Sequence, residues 1–243
     1  MPERTAALVI IGNEILSGKT EDTNSRFLIQ ELRELGVRLM RMHVVLDDAD
    51  EIAAVVEACA RRYDLVFTSG GVGPTHDDVT MLGVARAFGR PLVRHPELER
   101  QLRHFYGAEV TERNLQMAEL PEGAELVGVG TMVWPIVVVG HVYVLPGVPQ
   151  LLRRKFFAIR ERFRGQPFHV RVVYSNADEG MLAGDLDAVV ADFPDVEIGS
   201  YPRLIGGTWQ VKVTFESRDA TRADAAQQAL LARLPAGSVA GTE

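Results

Sequence analysis

The sequence is poor in cysteine, in long apolar runs and in net positive charge. Its single cysteine, Cys59, excludes an internal disulfide and a cysteine-rich metal site. The longest apolar run, residues 133–139, is interrupted by Pro135 and is too short to cross a membrane. No basic segment followed by an apolar one opens the chain, so we expect no secretory signal, no membrane partner and a cytoplasmic location.

The charge balance and the apolar content narrow the class of protein further. The formal net charge is −7, from 26 basic and 33 acidic residues, which argues against duplex nucleic acid as a partner. A phosphate ligand remains compatible with this charge because backbone N–H groups can hold one locally. With 47% hydrophobic residues, the chain has enough apolar surface for a folded core and is not intrinsically disordered.

The first part of the chain alternates between strand and helix patterns. The predicted elements are a strand at 6–11, a helix at 24–35, a strand at 38–45, a helix after Asp47 or Asp48, and a strand at 65–68. This order is typical of an α/β fold, a mostly parallel sheet with helices on both faces. Further along, 136–139 and 142–145 form a hairpin-like pair, followed by another helix.

The order of elements changes after residues 164–167, an Arg-Gly-Gln-Pro segment that is the best linker candidate. Beyond it the pattern reads strand, helix, strand, strand, helix. We therefore predict a first domain over 1–165 and a small α+β domain of βαββα order over 166–243.

Three polar loops follow predicted strands of the first domain. We name them loop A (12–18, GNEILSG), loop B (68–78, TSGGVGPTHDD) and loop C (145–149, LPGVP). The acidic pair Asp47-Asp48 also follows a strand. Ligands of open parallel sheets bind beyond the carboxyl ends of the strands, so we expect these segments to converge on one site.

Loop B carries the densest set of candidate ligand groups. Gly70, Gly71 and Gly73 allow backbone N–H groups to approach an anion closely, and a helix begins just after them. The hydroxyls predicted to add hydrogen bonds are those of Ser69, Thr75 and Thr80. The spacing matches neither a Walker loop nor a dinucleotide fingerprint. An alternative interpretation is a tight strand-to-helix turn, but the density of polar groups favours a ligand site.

Three acids are candidates for metal binding or catalysis. Asp78 and Asp47 are predicted to hold Mg²⁺ or a similar divalent cation, which needs only one or two carboxylates plus substrate oxygens. Each has an alternative role as a helix N-cap. Glu14, just past the first strand, is predicted to be a metal ligand or base, the alternative being a surface acid. Residues 153–155 (Arg-Arg-Lys) are interpreted as a solvated helix face.

These motifs together resemble a known family. Segments 12–18, 22–24 (DTN), 68–75, 78–80 (DVT) and 145–149 are similar, in this order, to the N-terminal domain of the competence/damage-inducible CinA family. That domain has the three-layer fold of the molybdopterin-binding MoaB/Mog proteins. The resemblance covers about 1–165, with a weaker match at 199–202 (GSYP). The chain stops short of the amidohydrolase domain of full-length CinA and resembles a stand-alone form, also similar to a domain of eukaryotic FAD synthases.

The resemblance implies two chemistries. Mog-like members bind molybdopterin and adenylylate it, whereas CinA-like domains are linked to metal-assisted cleavage of the pyrophosphate in ADP-ribose or FAD. The matching positions are Glu14, Asp47, Gly70, Gly71, Gly73, Thr75 and Asp78, with Pro146 and Gly147 of loop C as further binding residues. Such folds are often homo-oligomeric, which implies a dimer or trimer. One segment departs from the family, because 130–134 reads GTMVW where CinA has Gly-Thr-Ala-Pro-Gly; this favours the FAD-synthase-like branch.

From these inferences we predict a metal-dependent nucleotide pyrophosphatase that acts on ADP-ribose or FAD-like dinucleotides. The alternative is a protein that binds molybdopterin or a nucleotide without hydrolysis. A third interpretation makes the small domain an oligomerisation element. Adenylyl transfer to molybdopterin is the less favoured chemistry.

Overall fold

A six-stranded sheet, covered by helices on both faces, organises the first part of the chain. The structure is a computed structural model and describes residues 3–128, 134–203, 208–235 and 237–243. Contacts divide it into two compact units, Met1–Gly165 and Gln166–Glu243. The strands of the first unit are β1 (Thr5–Ile11), β2 (Arg38–Val45), β3 (Leu65–Ser69), β4 (Leu92–Arg94), β5 (Glu119–Pro121), β6 (Glu125–Val127), β7 (Ile136–Val139) and β8 (Val142–Leu145).

The helices of the first unit connect these strands. They are α1 (Asn13–Leu16), α2 (Thr23–Glu34), α3 (Ala49–Ala60), α4 (Thr80–Ala87), α5 (Pro96–Tyr106), α6 (Glu112–Gln116) and α7 (Pro149–Ile159). The sheet order is β2-β1-β3-β8-β7-β6. Neighbours from β2 to β8 pair in parallel, whereas β7 and β6 join by antiparallel pairing. A separate antiparallel pair is formed by β4 and β5.

The central strand β1 shows why the unit has three layers. Its alternate residues belong to two different core clusters: Val9 packs with residues of α3, α4 and α5, whereas Leu8 packs with residues of α2 and α7. Successive side chains of a strand point to opposite faces, so a strand that is apolar at every position needs cover on both sides. The predicted α/β class is confirmed.

Helix α3 begins at an aspartate cap. The Asp48 carboxylate accepts hydrogen bonds from the N–H groups of Asp50 and Glu51, at 3.0 and 2.9 Å. Of the two candidates Asp47 and Asp48, the cap is therefore Asp48. This leaves the Asp47 carboxylate to a different partner.

We expect Asp48→Ala to lower the free energy of unfolding of this unit by about 1 kcal/mol, because two N–H groups at the helix start lose their acceptor. Asp48→Asn keeps the acceptor oxygen and is expected to stay within a few tenths of a kcal/mol of the parent. Urea denaturation followed by circular dichroism measures both. Equal losses for the two variants would contradict the cap assignment.

The second unit is built on an antiparallel sheet of order β10-β11-β9-β12. Its elements are β9 (His169–Ser175), α8 (Glu179–Asp192), β10 (Glu197–Pro202), β11 (Val211–Ser217), α9 (Ala220–Arg233) and β12 (Val239–Thr242). Alternate residues of β11, such as Val213 and Phe215, pack with Leu182 of α8 and Leu230 of α9. The predicted βαββα order is present, and the structure adds the strand β12 after it.

No helix in the described parts of the chain combines the length and the apolarity that crossing a membrane requires.

Candidate functional site

The loops that follow β1, β3 and β8 meet at the carboxyl edge of the main sheet. Gly70 N donates a hydrogen bond to Leu145 O at 3.2 Å, and a Cβ atom on Gly147 would lie 3.3 Å from Gly70 Cα. The side-chain amide of Asn24 donates to Ser69 Oγ at 3.0 Å and to Gly147 O at 2.7 Å. The start of α2 therefore ties loop B to loop C.

A cavity of about 510 Å³ opens at this edge. Its lining combines the glycines of loop B, an apolar wall and three charged side chains. The lining residues are Glu14, Gly70, Gly71, Val72, Gly73, Asp78, Met81, Leu98, Leu102, Met117, Trp134, Pro135, Val137, Val144, Pro146, Gly147, Val148, Leu151 and Lys155. A mostly apolar pocket with a few polar groups is typical of small-molecule sites.

The glycines of loop B are required by its backbone path. Gly70 and Gly71 have φ values of +112° and +60°, a region that residues with a side chain rarely adopt. A Cβ atom on Gly70 would collide with the carbonyl oxygen of Ile11. On Gly73 it would lie 2.7 Å from Asp78 Oδ2. Their main chain therefore forms the cavity wall directly.

All three hydroxyls predicted to contact a ligand make hydrogen bonds inside the fold, and the Thr75 hydroxyl bonds the Asp78 carboxylate. Thr80 is fully buried, and its Oγ1 donates to Gly70 O at 2.9 Å. Ser69 is also buried and receives the Asn24 amide. These two hydroxyls hold loops B and C in place. Ser69 also lines a smaller pocket that shares Glu14 and Gly147 with the cavity, and ligand contact by either hydroxyl stays a prediction.

Asp78 lies in the cavity and does not cap the following helix. The N-cap position of α4 is Val79, which makes no side-chain cap. Asp78 Oδ2 accepts hydrogen bonds from the N–H of Thr75, at 2.8 Å, and from the Thr75 hydroxyl. The other oxygen, Oδ1, has no hydrogen-bond partner among the described residues. Thr75 thus orients the carboxylate and leaves one oxygen for a ligand.

The other two candidate acids are placed differently from each other. Glu14, on α1, lines the cavity, and its carboxylate lies so close to Gly12 that a Cβ atom there would be 2.7 Å from it. Asp47 is not among the described residues that line the cavity. Its Oδ2 accepts from Asn13 N at 2.8 Å, and its own N–H donates to Asn13 Oδ1 at 3.3 Å. Asp47 therefore fixes the start of α1, and its pairing with Asp78 around a cation stays a prediction.

Within the described ranges, no group of three or more His, Cys, Asp or Glu side chains is arranged to hold a metal ion. The carboxylates in the cavity are those of Asp78 and Glu14. Mg²⁺ commonly binds through one or two carboxylates and completes its shell with water and substrate phosphates. The donor set thus fits a cation that arrives with the substrate and does not fit a closed, preformed metal cage.

Lys155 is a cavity residue that the sequence pattern did not identify. It lies on α7 and is partly buried, and its Nζ donates to Pro135 O at 3.0 Å. Burial lowers the pKa of this ammonium to about 8. Its neighbours Arg153 and Arg154 are exposed, as the interpretation of a solvated helix face predicts. Lys155 does not follow that interpretation. Leu151, which also lines the cavity, lies four residues before Lys155. Because residues at this spacing share one face of a helix, the spacing could have indicated that Lys155 faces the cavity.

Trp134 forms part of the apolar wall. Its ring centroid lies 5.0 Å from that of Phe105 and 6.4 Å from that of Tyr106. Met81 and Met117 line the same wall. The rest of the segment that departs from the CinA pattern, residues 130–133, lies outside the described residues. An indole and two thioethers are suited to contact a flat heterocyclic ring.

Two family models match the chain, one within each of its two compact units. Residues 7–162 match the family described as probable molybdopterin binding domain, and residues 167–243 match the family described as FAD synthase, middle domain. A probable FAD synthase of Caenorhabditis elegans is 34% identical over 257 residues, covering 93% of this chain and 49% of that protein. A protein of Archaeoglobus fulgidus is 38% identical over 212 residues, covering 87% of this chain and 90% of its own length.

One solved structure is similar in both fold and sequence. It is described as the protein CinA, with unknown function, from Thermoplasma acidophilum, and it matches with a TM-score of 0.61 and 34% identity. The match covers 66% of this chain and 98% of that one. Against the FAD synthase relatives, the chain spans about half of their length.

Proposed function

The chain is a CinA-like member of the probable molybdopterin binding domain family, related to FAD synthase, and from this premise we propose that it is a metal-dependent nucleotide pyrophosphatase. The proposed substrates are ADP-ribose or flavin dinucleotides such as FAD. The observation that carries the proposal is one cavity that joins exposed glycine backbone, the Asp78 and Glu14 carboxylates and a wall containing Trp134.

The glycine side of the cavity supports a diphosphate ligand. Gly70, Gly71 and Gly73 present main chain without side chains. Because the Gly70 N–H is bonded to Leu145 O, the N–H groups of Gly71 and Gly73 would contact the phosphates. The amino terminus of α4 follows this loop. Unpaired N–H groups at a helix start carry partial positive charge and favour phosphate oxygens. In this role loop B would position the two phosphates, and positioning supplies much of the rate in phosphoryl chemistry.

The carboxylates support a cation bound jointly with the substrate. Asp78 Oδ1 and the Glu14 carboxylate are the oxygens that would contact it, with Thr75 holding Asp78 in orientation. A divalent cation would neutralise charge on the phosphate oxygens and lower the pKa of a water molecule. Glu14 is also placed to accept a proton from water, because it lines the same cavity. The products would be a nucleoside monophosphate and a second phosphate ester.

The proposal is tested on metal-stripped protein supplied with Mg²⁺, Mn²⁺ or Co²⁺ and with ADP-ribose, FAD or NAD. We expect AMP, detected by chromatography, from ADP-ribose or FAD in the presence of metal, and none after addition of a chelator. Absence of AMP with every metal and substrate, from protein with an intact circular dichroism spectrum, would overturn it.

One observation favours the second candidate, a protein that binds a pterin or nucleotide without hydrolysis. Asp47, one of the two predicted cation ligands, accepts from Asn13 N and is not among the described residues that line the cavity. Tight binding of molybdopterin, together with no hydrolysis in the metal series, would select this alternative. Homo-oligomerisation as a dimer or trimer is part of both candidates and is measured by light scattering.

We expect Trp134→Ala to weaken binding of FAD or ADP-ribose about fivefold, because ring contacts of this kind contribute about 1 kcal/mol beyond simple burial. The matched control is Trp209→Ala, which removes the other tryptophan, in the second unit. Fluorescence or calorimetric titration measures both affinities. If Trp209→Ala weakens binding as much as Trp134→Ala, the ring-binding role of the wall is wrong.

A further inference from the structure

A partly buried lysine, Lys155, lines the cavity and makes no direct ion pair with the described residues. Lys155 Nζ makes one hydrogen bond, to Pro135 O, and no ion pair links it to a carboxylate of the described residues. An ammonium group has three donor hydrogens, so two remain for a ligand. Placing an uncompensated cation in an apolar wall costs free energy, and an anion of the ligand would remove that cost.

The strand register places this lysine beside the loops of the site. Ser69 pairs with Leu145, and Val137 pairs with Val144, so the next residues outward bring Gly70, Pro146 and Pro135 side by side along the sheet edge. Neighbouring strands are about 4.8 Å apart, which puts Pro135 about 10 Å from Gly70. The Lys155 ammonium is bonded to Pro135 O, so it lies on the opposite side of loop C from loop B.

The surroundings of Lys155 contain few other charges. Within the cavity, the charged side chains besides Lys155 are Glu14 from α1 and Asp78 from loop B. The elements that complete the wall contribute apolar residues: Val137 from β7, Val144 from β8, Leu98 and Leu102 from α5, and Met117 after α6. Lys155 is thus the cationic group of a cavity whose other charges are negative.

We propose that Lys155 binds the phosphate of the ligand that lies farther from loop B, so that the diphosphate is held between the amides of loop B and this ammonium. The inference rests on the proposed function to the extent that the ligand carries a diphosphate. Lys155 would then make the site prefer ligands that carry phosphates. A ring compound without phosphates would leave the ammonium without a bound anion.

Binding of an anion beside Lys155 has a proton linkage of definite sign. With a pKa of about 8, the amine is partly neutral above pH 8, and a bound phosphate favours its protonated form. Diphosphate binding is therefore expected to take up a proton near pH 8 and to weaken as pH rises through that value. Calorimetry in buffers of different ionisation enthalpy measures this uptake directly.

The chain offers a direct test because it contains three lysines, Lys19, Lys155 and Lys212. Pulse acetylation followed by mass spectrometry reports the reactivity of each amine in the intact protein. We expect millimolar inorganic pyrophosphate or ADP-ribose to protect Lys155 at least fivefold and to leave Lys19 and Lys212 unchanged. Equal reactivity of Lys155 with and without both probes would overturn the inference.

Substitutions separate charge from packing. Lys155→Met keeps the aliphatic stem and is expected to lower the affinity for ADP-ribose at least tenfold and to abolish the proton uptake. Lys155→Arg keeps the charge and is expected to retain most of the affinity. The matched control is Arg154→Met, which removes an exposed cation from the same helix and is expected to bind as the parent does.

The outcomes distinguish this inference from the proposed function. If pyrophosphate protects Lys155 but no dinucleotide is hydrolysed with any metal, the pyrophosphatase proposal fails and the phosphate-binding role stands. If the parent and Lys155→Met cleave ADP-ribose with the same KM, and Lys155 is unprotected, the role of Lys155 fails and the pyrophosphatase proposal stands.

Discussion

If the proposed pyrophosphatase activity is present, Asp78→Asn is expected to lower kcat for diphosphate cleavage by about 100-fold or more, with little change in stability. The substitution keeps an oxygen that can accept from Thr75, so the loop conformation is retained. It removes the negative charge that a divalent cation needs, and loss of one electrostatic group in an active site typically costs two to three orders of magnitude, about 100- to 1,000-fold. Steady-state AMP production at saturating metal measures the effect.

The neighbouring residue supplies the control for this prediction. Asp77 is exposed and is not among the described residues that line the cavity, although it has the same charge and differs by one position. Asp77→Asn is expected to stay within about twofold of the parent, since a solvated surface charge contributes little. Comparable losses in both variants would indicate a general effect of loop charge and would contradict a specific role of Asp78.

Gly70→Ala is expected to destabilise the first unit by about 3 kcal/mol or more and to abolish ligand binding. The new Cβ would meet the Ile11 carbonyl oxygen, and the backbone would have to leave a φ of +112°. Relief requires loop B to move away from β1, which also separates it from Gly147 of loop C. Strain at a backbone position that only glycine tolerates is among the recognised causes of large destabilisation.

Gly89→Ala separates collision from backbone preference. Gly89 also has a positive φ, +60°, but a Cβ atom there would have nothing within 4 Å. We expect a cost of about 1–2 kcal/mol from the left-handed conformation alone, with ligand binding unaffected. Chemical denaturation measures the free energy of unfolding of both variants, and ligand titration measures their affinities. A Gly70→Ala protein as stable as Gly89→Ala would mean that loop B adapts to a side chain.

The layout of the first unit was readable from local sequence. The 6–11 and 65–68 runs are apolar at nearly every position, and such short runs require cover on both faces. Asp47 and Asp48 come just before a helical apolar stripe, and this position predicts that one of them caps α3. In the second unit, β12 was missed because Val239–Thr242 is short, contains a glycine and shows no alternation strong enough to predict a strand.

The candidate site was readable only in part. The glycines of loop B signalled close backbone approach, and they do line the cavity. Ser69 bonds Asn24, Thr80 bonds Gly70 O and Asp47 bonds Asn13, and the sequence did not indicate these partners. The composition of a loop shows which polar atoms are present. It does not show which of them already have hydrogen-bond partners inside the fold.

The sequence by itself determined the class of fold and the glycine-rich loop at a strand end. These depend on local apolar period, turn residues and backbone freedom, which are properties of short segments. The tertiary structure alone decided that Asp78 keeps an oxygen for a ligand, that Asp47 does not reach the cavity and that Lys155 does. Burial, desolvation and hydrogen-bond pairing depend on residues far apart in the chain, and they become defined only when the sheet brings those residues to one edge.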